Sequence, residues 1–374
     1  MVTTLFAFGT RPEAIKLAPL IKELSSRTDF RVKILITAQH REMLDQVLEL
    51  FELKPDFDLD LMQPNQSLES LTARIVKSVG EVLRREKPDA VVLQGDTTTS
   101  FVTALAAFYQ QIRVIHVEAG LRTGRKYAPF PEEINRRLTG VLTDLHFPPT
   151  KRAEEALLRE NVPENYIFTV GNTVIDALLW VVEKARARNE ELTRKFPMVP
   201  RDGRMLLVTG HRRESFGQGF LNICNALRSI AASNPDLTIV YPVHLNPNVQ
   251  KPVRDILSGI PNVHLIEPQD YLSFVWLLDR CHLVLTDSGG VQEEAPTLGR
   301  PVLVMRDATE RPEGIEAGVA ELVGTDPERI VSRVQRLLDD RETYERMSKA
   351  QNPYGDGTSS RQIADILVSR LVSH

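Results

Sequence analysis

Residues 283–295 read Leu283-Val284-Leu285-Thr286-Asp287-Ser288-Gly289-Gly290-Val291-Gln292-Glu293-Glu294-Ala295, and this stretch decides the fold. Its first four residues are apolar or β-branched and predict a buried strand. Asp287 and Ser288 can cap a following helix, because their side-chain oxygens accept hydrogen bonds from its unpaired first amides. Gly289 and Gly290 allow the backbone to approach a ligand closely. A strand, a glycine turn and a helix N-terminus together predict an anion-binding site.

Glu294 lies about one and a half turns into the helix that this stretch predicts. Its carboxylate could accept hydrogen bonds from two adjacent hydroxyl groups, such as those of a ribose. The alternative interpretation is an ordinary strand–turn–helix with a solvated pair of glutamates, because glycine loops of this kind are common. The rest of the chain has to separate the two interpretations.

Short apolar strands alternate with amphipathic helices along nearly the whole chain. The first half predicts strands at Val2–Phe8, Val32–Thr37, Ala90–Leu93 and Val114–Val117, and helices at Ala14–Ser25, Glu42–Leu50, Leu68–Lys87 and Ser100–Gln110. A charged helix from Asp176 to Lys195 precedes strands at Met205–Thr209, Leu237–Tyr241, Val263–Ile266, Leu283–Thr286 and Val302–Met305. This alternation predicts parallel sheets covered by helices on both faces. We therefore expect an α/β fold of two Rossmann-like domains facing across a cleft, with ligands at the carboxyl ends of the strands.

The composition excludes several classes of function. Among 374 residues, 46 Lys and Arg face 50 Asp and Glu, so no global charge attracts nucleic acid or a membrane surface. Cys224 and Cys281 are isolated in apolar segments and predict reduced core residues. The eight histidines do not form a zinc-helix pattern, and no apolar run approaches the roughly 20 residues of a membrane span. We expect a cytoplasmic protein without a secretion leader or a metal site.

The first strand is followed by Gly9-Thr10-Arg11-Pro12. Pro12 fits a first helical turn, and Arg11 and Lys16 place two cations near it. The turn lacks the G-x-G-x-x-G pattern of dinucleotide-binding folds. We therefore do not expect an NAD-dependent hydride mechanism.

Other polar residues follow predicted strands or open a helix: Asp96, Glu118 and Glu132 in the first half, and His211 in the second. Each has a structural alternative. Asp96 could cap the following helix, Glu118 could be a solvated loop acid, and His211 could be a capping or core residue. Together, three carboxylates on one sheet with cations and a histidine on the other predict acid–base chemistry on a phosphorylated ligand.

These residues belong to longer motifs that resemble the non-hydrolysing UDP-N-acetylglucosamine 2-epimerases. The matching segments are 8–16, 37–41, 116–123, 286–295, 310–313 and 352–357. They occur in the family's order and extend over essentially the whole chain.

The resemblance implies a glycosyltransferase-B-like fold. It implies a catalytic N-terminal domain over residues 1–170, a UDP-binding domain over 171–355, and a last helix within 356–374 that packs back on the first domain. It further implies that a cytoplasmic homodimer interconverts UDP-GlcNAc and UDP-ManNAc without a cofactor and supplies precursors of cell-surface polysaccharides.

The resemblance also assigns roles to individual positions. The residues implied to be catalytic are Asp96, Glu118, Glu132 and His211. The residues implied to bind substrate are Arg11, Lys16, Asp96, Glu118, Arg136, His211, Gln269, Phe274, Ser288, Gly289, Gly290, Glu294 and Arg311. Family members can bind a second substrate molecule as an activator, near positions that match Arg74, Arg212 and His244.

The implied reaction has definite chemical requirements. The C2 proton of the sugar is not next to a carbonyl carbon, so its direct abstraction would be very slow. Elimination of UDP from C1 gives a 2-acetamidoglucal, and re-addition of UDP with protonation from the opposite face inverts C2. This route needs a stabilised diphosphate, an acid and a base on opposite faces, and exclusion of water.

Other functions fit the same nucleotide-sugar site. A hydrolysing epimerase or a retaining glycosyltransferase would use the same two-domain fold. A non-catalytic sensor that closes on its ligand would leave Asp96, Glu118 and Glu132 without a role.

Overall fold

A computed structural model describes residues 1–37, 41–61 and 66–372. Residues 38–40 of the motif at 37–41 lie outside these ranges. The chain forms two compact units, one of Met1–Ala177 with Tyr354–His374 and the other of Leu178–Pro353.

The first unit is built on a parallel sheet whose described strands follow the order β3-β2-β1-β4-β5-β6. The strands are β1 (Val2–Phe8), β2 (Phe30–Ile36), β3 (Phe57–Asp58), β4 (Ala90–Gln94), β5 (Arg113–Val117) and β6 (Leu145–Phe147). The helices are α1 (Arg11–Ser25), α2 (Arg41–Leu50), α3 (Leu68–Glu86), α4 (Thr98–Phe108), α5 (Glu132–Leu142), α6 (Lys151–Arg159) and α7 (Thr173–Ala187), which continues into the second unit. Every residue of β4 is buried, as expected for a parallel strand covered by helices on both faces.

The second unit repeats the same topology, with the strand order β12-β11-β10-β7-β8-β9. Its strands are β7 (Met205–Thr209), β8 (Thr238–Pro242), β9 (Val263–Ile266), β10 (Leu283–Thr286), β11 (Val302–Val304) and β12 (Ala320–Leu322). Its helices are α8 (Asn189–Lys195), α9 (Gln218–Ser233), α10 (Pro247–Leu257), α11 (Tyr271–Arg280), α12 (Gly289–Thr297), α13 (Pro312–Glu316), α14 (Pro327–Asp339) and α15 (Arg341–Ser348). The apolar sides of β7, β8 and β10 join α9 and α14 in one buried core.

Both sheets therefore have the Rossmann strand order, and the predicted α/β fold is confirmed. In such sheets the strand order reverses at a topological switch point, where ligands bind beyond the carboxyl ends of the strands. The reversal lies between β1 and β4 in the first unit and between β7 and β10 in the second. The candidate residues must be sought in the loops after these strands.

The C-terminal helix α16 (Ser359–Leu367) belongs to the first unit. The Ser360 amide donates to the buried Asp176 carboxylate at 2.7 Å, and Arg27, two residues after the end of α1, pairs with Asp365 at 2.7 Å. Gly171 has a φ of +86°, and a Cβ there would lie 2.8 Å from Ser359 Oγ. The close backbone approach at Gly171 thus helps α16 to pack beside α1 in the first unit.

Two features differ from the sequence prediction. The charged helix expected from Asp176 to Lys195 is interrupted at Arg188, whose φ of −103° and ψ of 21° separate α7 from α8. The short strands β3, β6 and β12 were not predicted, because two or three residues carry too little periodicity to be recognised.

Candidate functional site

Glu13 organises the loops at the switch point of the first unit. Its buried carboxylate accepts hydrogen bonds from the Gly9 amide at 3.1 Å and the Thr10 amide at 2.8 Å. It also accepts from Thr97 Oγ1 at 2.6 Å and Ser100 Oγ at 3.0 Å. Burial raises the pKa of Glu13, and these donors oppose the rise. The β1–α1 and β4–α4 loops are thereby tied together, a role that the capping-box spacing of Thr10 and Glu13 could have indicated.

Glu118 follows β5 and is held by two side chains. Lys16 Nζ lies 2.5 Å from Glu118 Oε2, and the Gln94 amide donates to the same oxygen. Only 4% of the Glu118 side chain is exposed, so the alternative of a solvated loop acid is wrong. Its φ of +60° is uncommon for a residue other than glycine and is often found at functional sites.

Asp96 forms an ion pair with Arg136 of α5. Arg136 Nε and Nη2 lie 2.8 Å and 2.7 Å from Asp96 Oδ2, while the Asn135 side chain donates to the Asp96 carbonyl. The alternative that Asp96 caps the next helix is wrong, because Thr97 occupies that position and accepts from the Ser100 amide.

Glu132 and Glu133 open helix α5 but differ in their partners. Glu133 accepts from the Thr123 and Gly124 amides at 3.0 and 3.1 Å, so it holds the preceding loop. Glu132 Oε2 is buried and has no hydrogen-bond partner within the described ranges. An unpartnered carboxylate oxygen can take up or release a proton without breaking a structural bond.

In the first unit, Lys16 and Gln94 both contact Glu118, and Arg136 contacts Asp96. The two sets are neighbours in the chain, because Gln94 ends β4 and Asp96 follows two residues later. Arg11 begins α1, and its guanidinium has no hydrogen bond or ion pair with any residue of the described ranges. Gln94 carried no assigned role in the sequence. Its position at the end of a strand beside Gly95-Asp96 was the available signal.

Asp287 is fully buried in the second unit. The sequence predicts that it caps α12, but its side chain bonds other residues. Its Oδ2 accepts from the backbone amides of His211 and Arg212 at 2.7 and 2.8 Å. Ser288 occupies the N-cap position without a side-chain capping bond. Its own amide donates to Thr286 Oγ1 at 2.9 Å. The predicted capping is therefore wrong, and the first turn of α12 carries no side-chain cap.

Basic side chains surround this helix N-terminus. His211 Nδ1 lies 3.3 Å from Asp287 Oδ1, and the rings of His211 and His244 stack with centroids 5.6 Å apart. A Cβ on Gly289 would lie 3.8 Å from Arg212 Nη2, which places the guanidinium beside the glycine turn. Backbone amides, the dipole of a helix and a guanidinium are the kinds of groups that bind an anion.

The pKa of His211 reflects these neighbours. Burial lowers it, and the charges of Arg212 and His244 lower it further, whereas Asp287 raises it. The net effect is a pKa below the ordinary histidine value.

Both glutamates of α12 are buried, so the alternative of a solvated pair is wrong. The Tyr271 hydroxyl donates to Glu294 Oε1 at 2.6 Å, and Arg311 Nε pairs with Glu293. Tyr271 was missed in the sequence, because nothing local relates it to a residue on another helix.

Two more of the residues predicted to bind substrate, Gln269 and Phe274, are close to Tyr271 in the sequence. Gln269 precedes α11, and its amide donates to the Glu267 carbonyl at 2.6 Å. Phe274 is half-buried on α11 itself. Helix α11 thus carries Tyr271, which bonds Glu294, next to Gln269 and Phe274, two further residues implied to bind substrate.

Within the described part of the chain, no helix has the length and apolar character required to cross a bilayer. The same residues contain no cluster of three or more His, Cys, Asp or Glu side chains arranged to bind a metal ion.

Two Rossmann-like domains of this strand order define a glycosyltransferase-B-like α/β protein. The family model described as UDP-N-acetylglucosamine 2-epimerase matches residues 22–368. The chain belongs to this family, as the sequence resemblance predicted.

Individual relatives match this chain over essentially their full lengths. The UDP-N-acetylglucosamine 2-epimerase of Salmonella typhimurium is 58% identical over 372 residues, which cover 99% of both chains. A crystal structure of UDP-GlcNAc 2-epimerase from Neisseria meningitidis bound to UDP-GlcNAc is 50% identical, with a TM-score of 0.92. It covers 98% of this chain and 100% of its own. The Methanocaldococcus jannaschii enzyme in complex with UDP-GlcNAc and UDP is 36% identical, with a TM-score of 0.82, and covers 99% and 100%.

Proposed function

We propose that this protein interconverts UDP-GlcNAc and UDP-ManNAc by eliminating UDP and adding it back to a 2-acetamidoglucal. The proposal follows from family membership and from the kinds of groups that the two units carry. In this proposal the protein is a non-hydrolysing isomerase that needs no cofactor. It acts as a cytoplasmic homodimer, and its product enters surface polysaccharides.

The second unit supplies the groups that stabilise UDP as it leaves. The first turn of α12 has no side-chain cap, so the amides of Gly289 and Gly290, together with the imidazole of His211, are suited to the negative charge on the diphosphate. Arg11, at the start of α1, provides a further cation. Glu294 accepts from the ribose hydroxyls, while Gln269 and Phe274 contact the base.

The first unit supplies the proton-transfer groups. Lys16 and Gln94 hold Glu118 in one position, as a group that must reach a specific proton requires. Asp96 is held by Arg136, and Glu132 retains an unpartnered buried oxygen. One of these carboxylates removes the C2 proton and another delivers a proton to the opposite face. A nucleotide-binding module would not need them, and this set of carboxylates is the observation that carries the proposal.

The test uses exhaustively desalted and chelated protein with UDP-GlcNAc in heavy water, followed by NMR. We expect UDP-ManNAc to appear and both sugars to acquire deuterium at C2. Free ManNAc with UDP would instead indicate a hydrolysing epimerase, and no reaction would indicate a transferase or a sensor. UDP-ManNAc without deuterium at C2 would exclude exchange with solvent and contradict the elimination scheme. Activity that returned only with NAD or a divalent ion would contradict the cofactor-free route.

A further inference from the structure

Asp287 has two different environments at its two oxygens. Oδ2 accepts two backbone amides and so holds the loop after β7. Oδ1 is buried, has no hydrogen-bond partner in the described ranges, and lies 3.3 Å from His211 Nδ1. The side chain as a whole has no exposure to solvent. A structural carboxylate would not need its second oxygen directed at a titratable ring.

We propose that Asp287 is a positioning residue that orients His211 and stabilises its imidazolium when a diphosphate binds, so that UDP binding takes up a proton. This inference rests on the proposed function, in which His211 contacts the diphosphate of UDP.

The geometry assigns a different task to each ring nitrogen. The negative charge at Asp287 Oδ1, 3.3 Å from Nδ1, favours the tautomer with its proton on Nδ1 and leaves Nε2 without one. A neutral ring in this tautomer has a lone pair on Nε2, and a lone pair repels a diphosphate oxygen. Addition of one proton from solvent to Nε2 converts the acceptor into a charged donor, while the proton on Nδ1 still faces the Asp287 carboxylate.

The charges around His211 oppose this protonation until a ligand is present. Arg212 on the same loop and His244 on the loop after β8 disfavour a further cation, as does burial. Asp287 alone favours it from the end of β10. A diphosphate neutralises the neighbouring cations and places a second negative charge on the other side of the ring. The pKa of His211 should therefore rise when UDP binds.

Asp287→Asn separates charge from shape. The Asn oxygen can still accept the two loop amides, but its NH₂ group faces Nδ1 and selects the neutral tautomer with a proton on Nε2. That ring donates to the diphosphate without taking up a proton and without a positive charge. We expect proton uptake to disappear and kcat to fall by about 10²–10³, as for loss of one charged stabilising group.

The experiment is calorimetry of UDP binding at about pH 8, above the ordinary histidine pKa, in buffers of different ionisation enthalpy. The proteins are wild type, Asp287→Asn, His211→Asn and the control Asp176→Asn. Asp176 is a buried carboxylate that also accepts a backbone amide, but in the first unit. We expect uptake approaching about one proton per UDP in wild type and control, and near zero in the other two.

Unchanged uptake or unchanged kcat in Asp287→Asn would overturn the inference. If that variant does not fold, uptake that persists in His211→Asn would overturn it equally, and loss of uptake there would support it. Wild type that binds UDP without proton uptake would overturn the coupling alone. Wild type that neither binds UDP nor forms UDP-ManNAc would overturn the proposed function together with the coupling.

Discussion

At the scale of single residues, the carboxylates of the candidate site are distinguished by their partners. Glu13 and Glu133 each accept several backbone or hydroxyl donors and hold loops together. Glu118 shares one oxygen between Lys16 and Gln94, and Glu132 has a buried oxygen without a partner. Carboxylates whose oxygens are all bonded are structural, whereas Glu132 keeps an oxygen that can take up a proton without breaking a hydrogen bond.

Glu118→Gln tests the chemical role. The amide has nearly the same size but is no longer a base, so kcat should fall by about 10²–10⁴ while UDP affinity changes little. Rates come from NMR of UDP-ManNAc formation and affinities from calorimetry. Glu155→Gln, on an exposed glutamate of α6, is the control. A Glu118→Gln enzyme with the wild-type rate would remove Glu118 from the proton transfer.

Glu294→Ala tests the ribose contact. Loss of a charged acceptor should weaken UDP binding by about 1–3 kcal/mol. Tyr271→Phe removes only the hydroxyl that orients Glu294 and should weaken binding less. Calorimetry of both variants provides the comparison. Unchanged UDP affinity in Glu294→Ala would place Glu294 outside the nucleotide site.

At the scale of elements, the loops after the strands depend on close backbone approach. Gly120, two residues after Glu118, has a φ of +86°. A Cβ on it would lie 2.3 Å from the Ala153 carbonyl oxygen of α6. The loop that carries Glu118 is therefore packed directly on a neighbouring helix.

Gly120→Ala should be strongly destabilising, by roughly 3–5 kcal/mol, because a backbone atom cannot move aside as a side chain can. The control is Gly259→Ala, where φ is +81° and no atom lies within 4 Å of the added Cβ. It should lose only the left-handed conformational cost of about 1–2 kcal/mol. Urea unfolding of both variants measures the difference. Equal losses would mean that the contact with α6 is not limiting.

At the scale of the whole molecule, buried histidines couple stability to pH. His116 and His146 are paired across β5 and β6, and each is 1% exposed. Burial lowers the pKa of His116 to about 4, although its Nε2 bonds the Gly95 carbonyl. Burial, followed by the charge of His116, lowers the pKa of His146 to about 3. Both rings are neutral in the folded protein at pH 7.

The direction of the pH effect follows from these lowered values. In the unfolded chain each histidine protonates near its ordinary pKa of about 6.5, so between there and its folded pKa the unfolded state binds more protons. The stability contributed by the neutral rings is complete above a pH of about 6.5 and is lost as the pH falls toward the folded pKa values. Each ring should add a slope of up to about 1.4 kcal/mol per pH unit.

Urea unfolding of wild type and His146→Gln across pH 4 to 7 measures one ring's share. The free energy of unfolding should fall less steeply with acid in the variant, by up to about 1.4 kcal/mol per unit. Buried carboxylates such as Glu13 and Asp176, whose pKa values burial raises, contribute equally to both proteins and cancel. Parallel pH profiles would contradict the assignment.

Much of the fold was predictable because secondary structure is written in local periodicity. The predicted strands β1, β7, β9 and β10 have the observed bounds. Edge strands such as Phe57–Asp58 were not predictable, since they are defined by a neighbouring strand rather than by their own pattern. The break between α7 and α8 was missed, because no glycine or proline marks it in the sequence.

The α/β alternation, the position of the candidate residues at strand ends and the family all follow from sequence patterns. The role of each polar side chain follows from contacts that form only in the folded protein. Asp287 was expected to cap the helix that follows it, yet it bonds the amide of His211, 76 residues away. Glu118 is held by Lys16, 102 residues away. The reason is physical: local patterns set backbone conformation, whereas a buried charge must find its partners wherever the folded chain brings donors within reach.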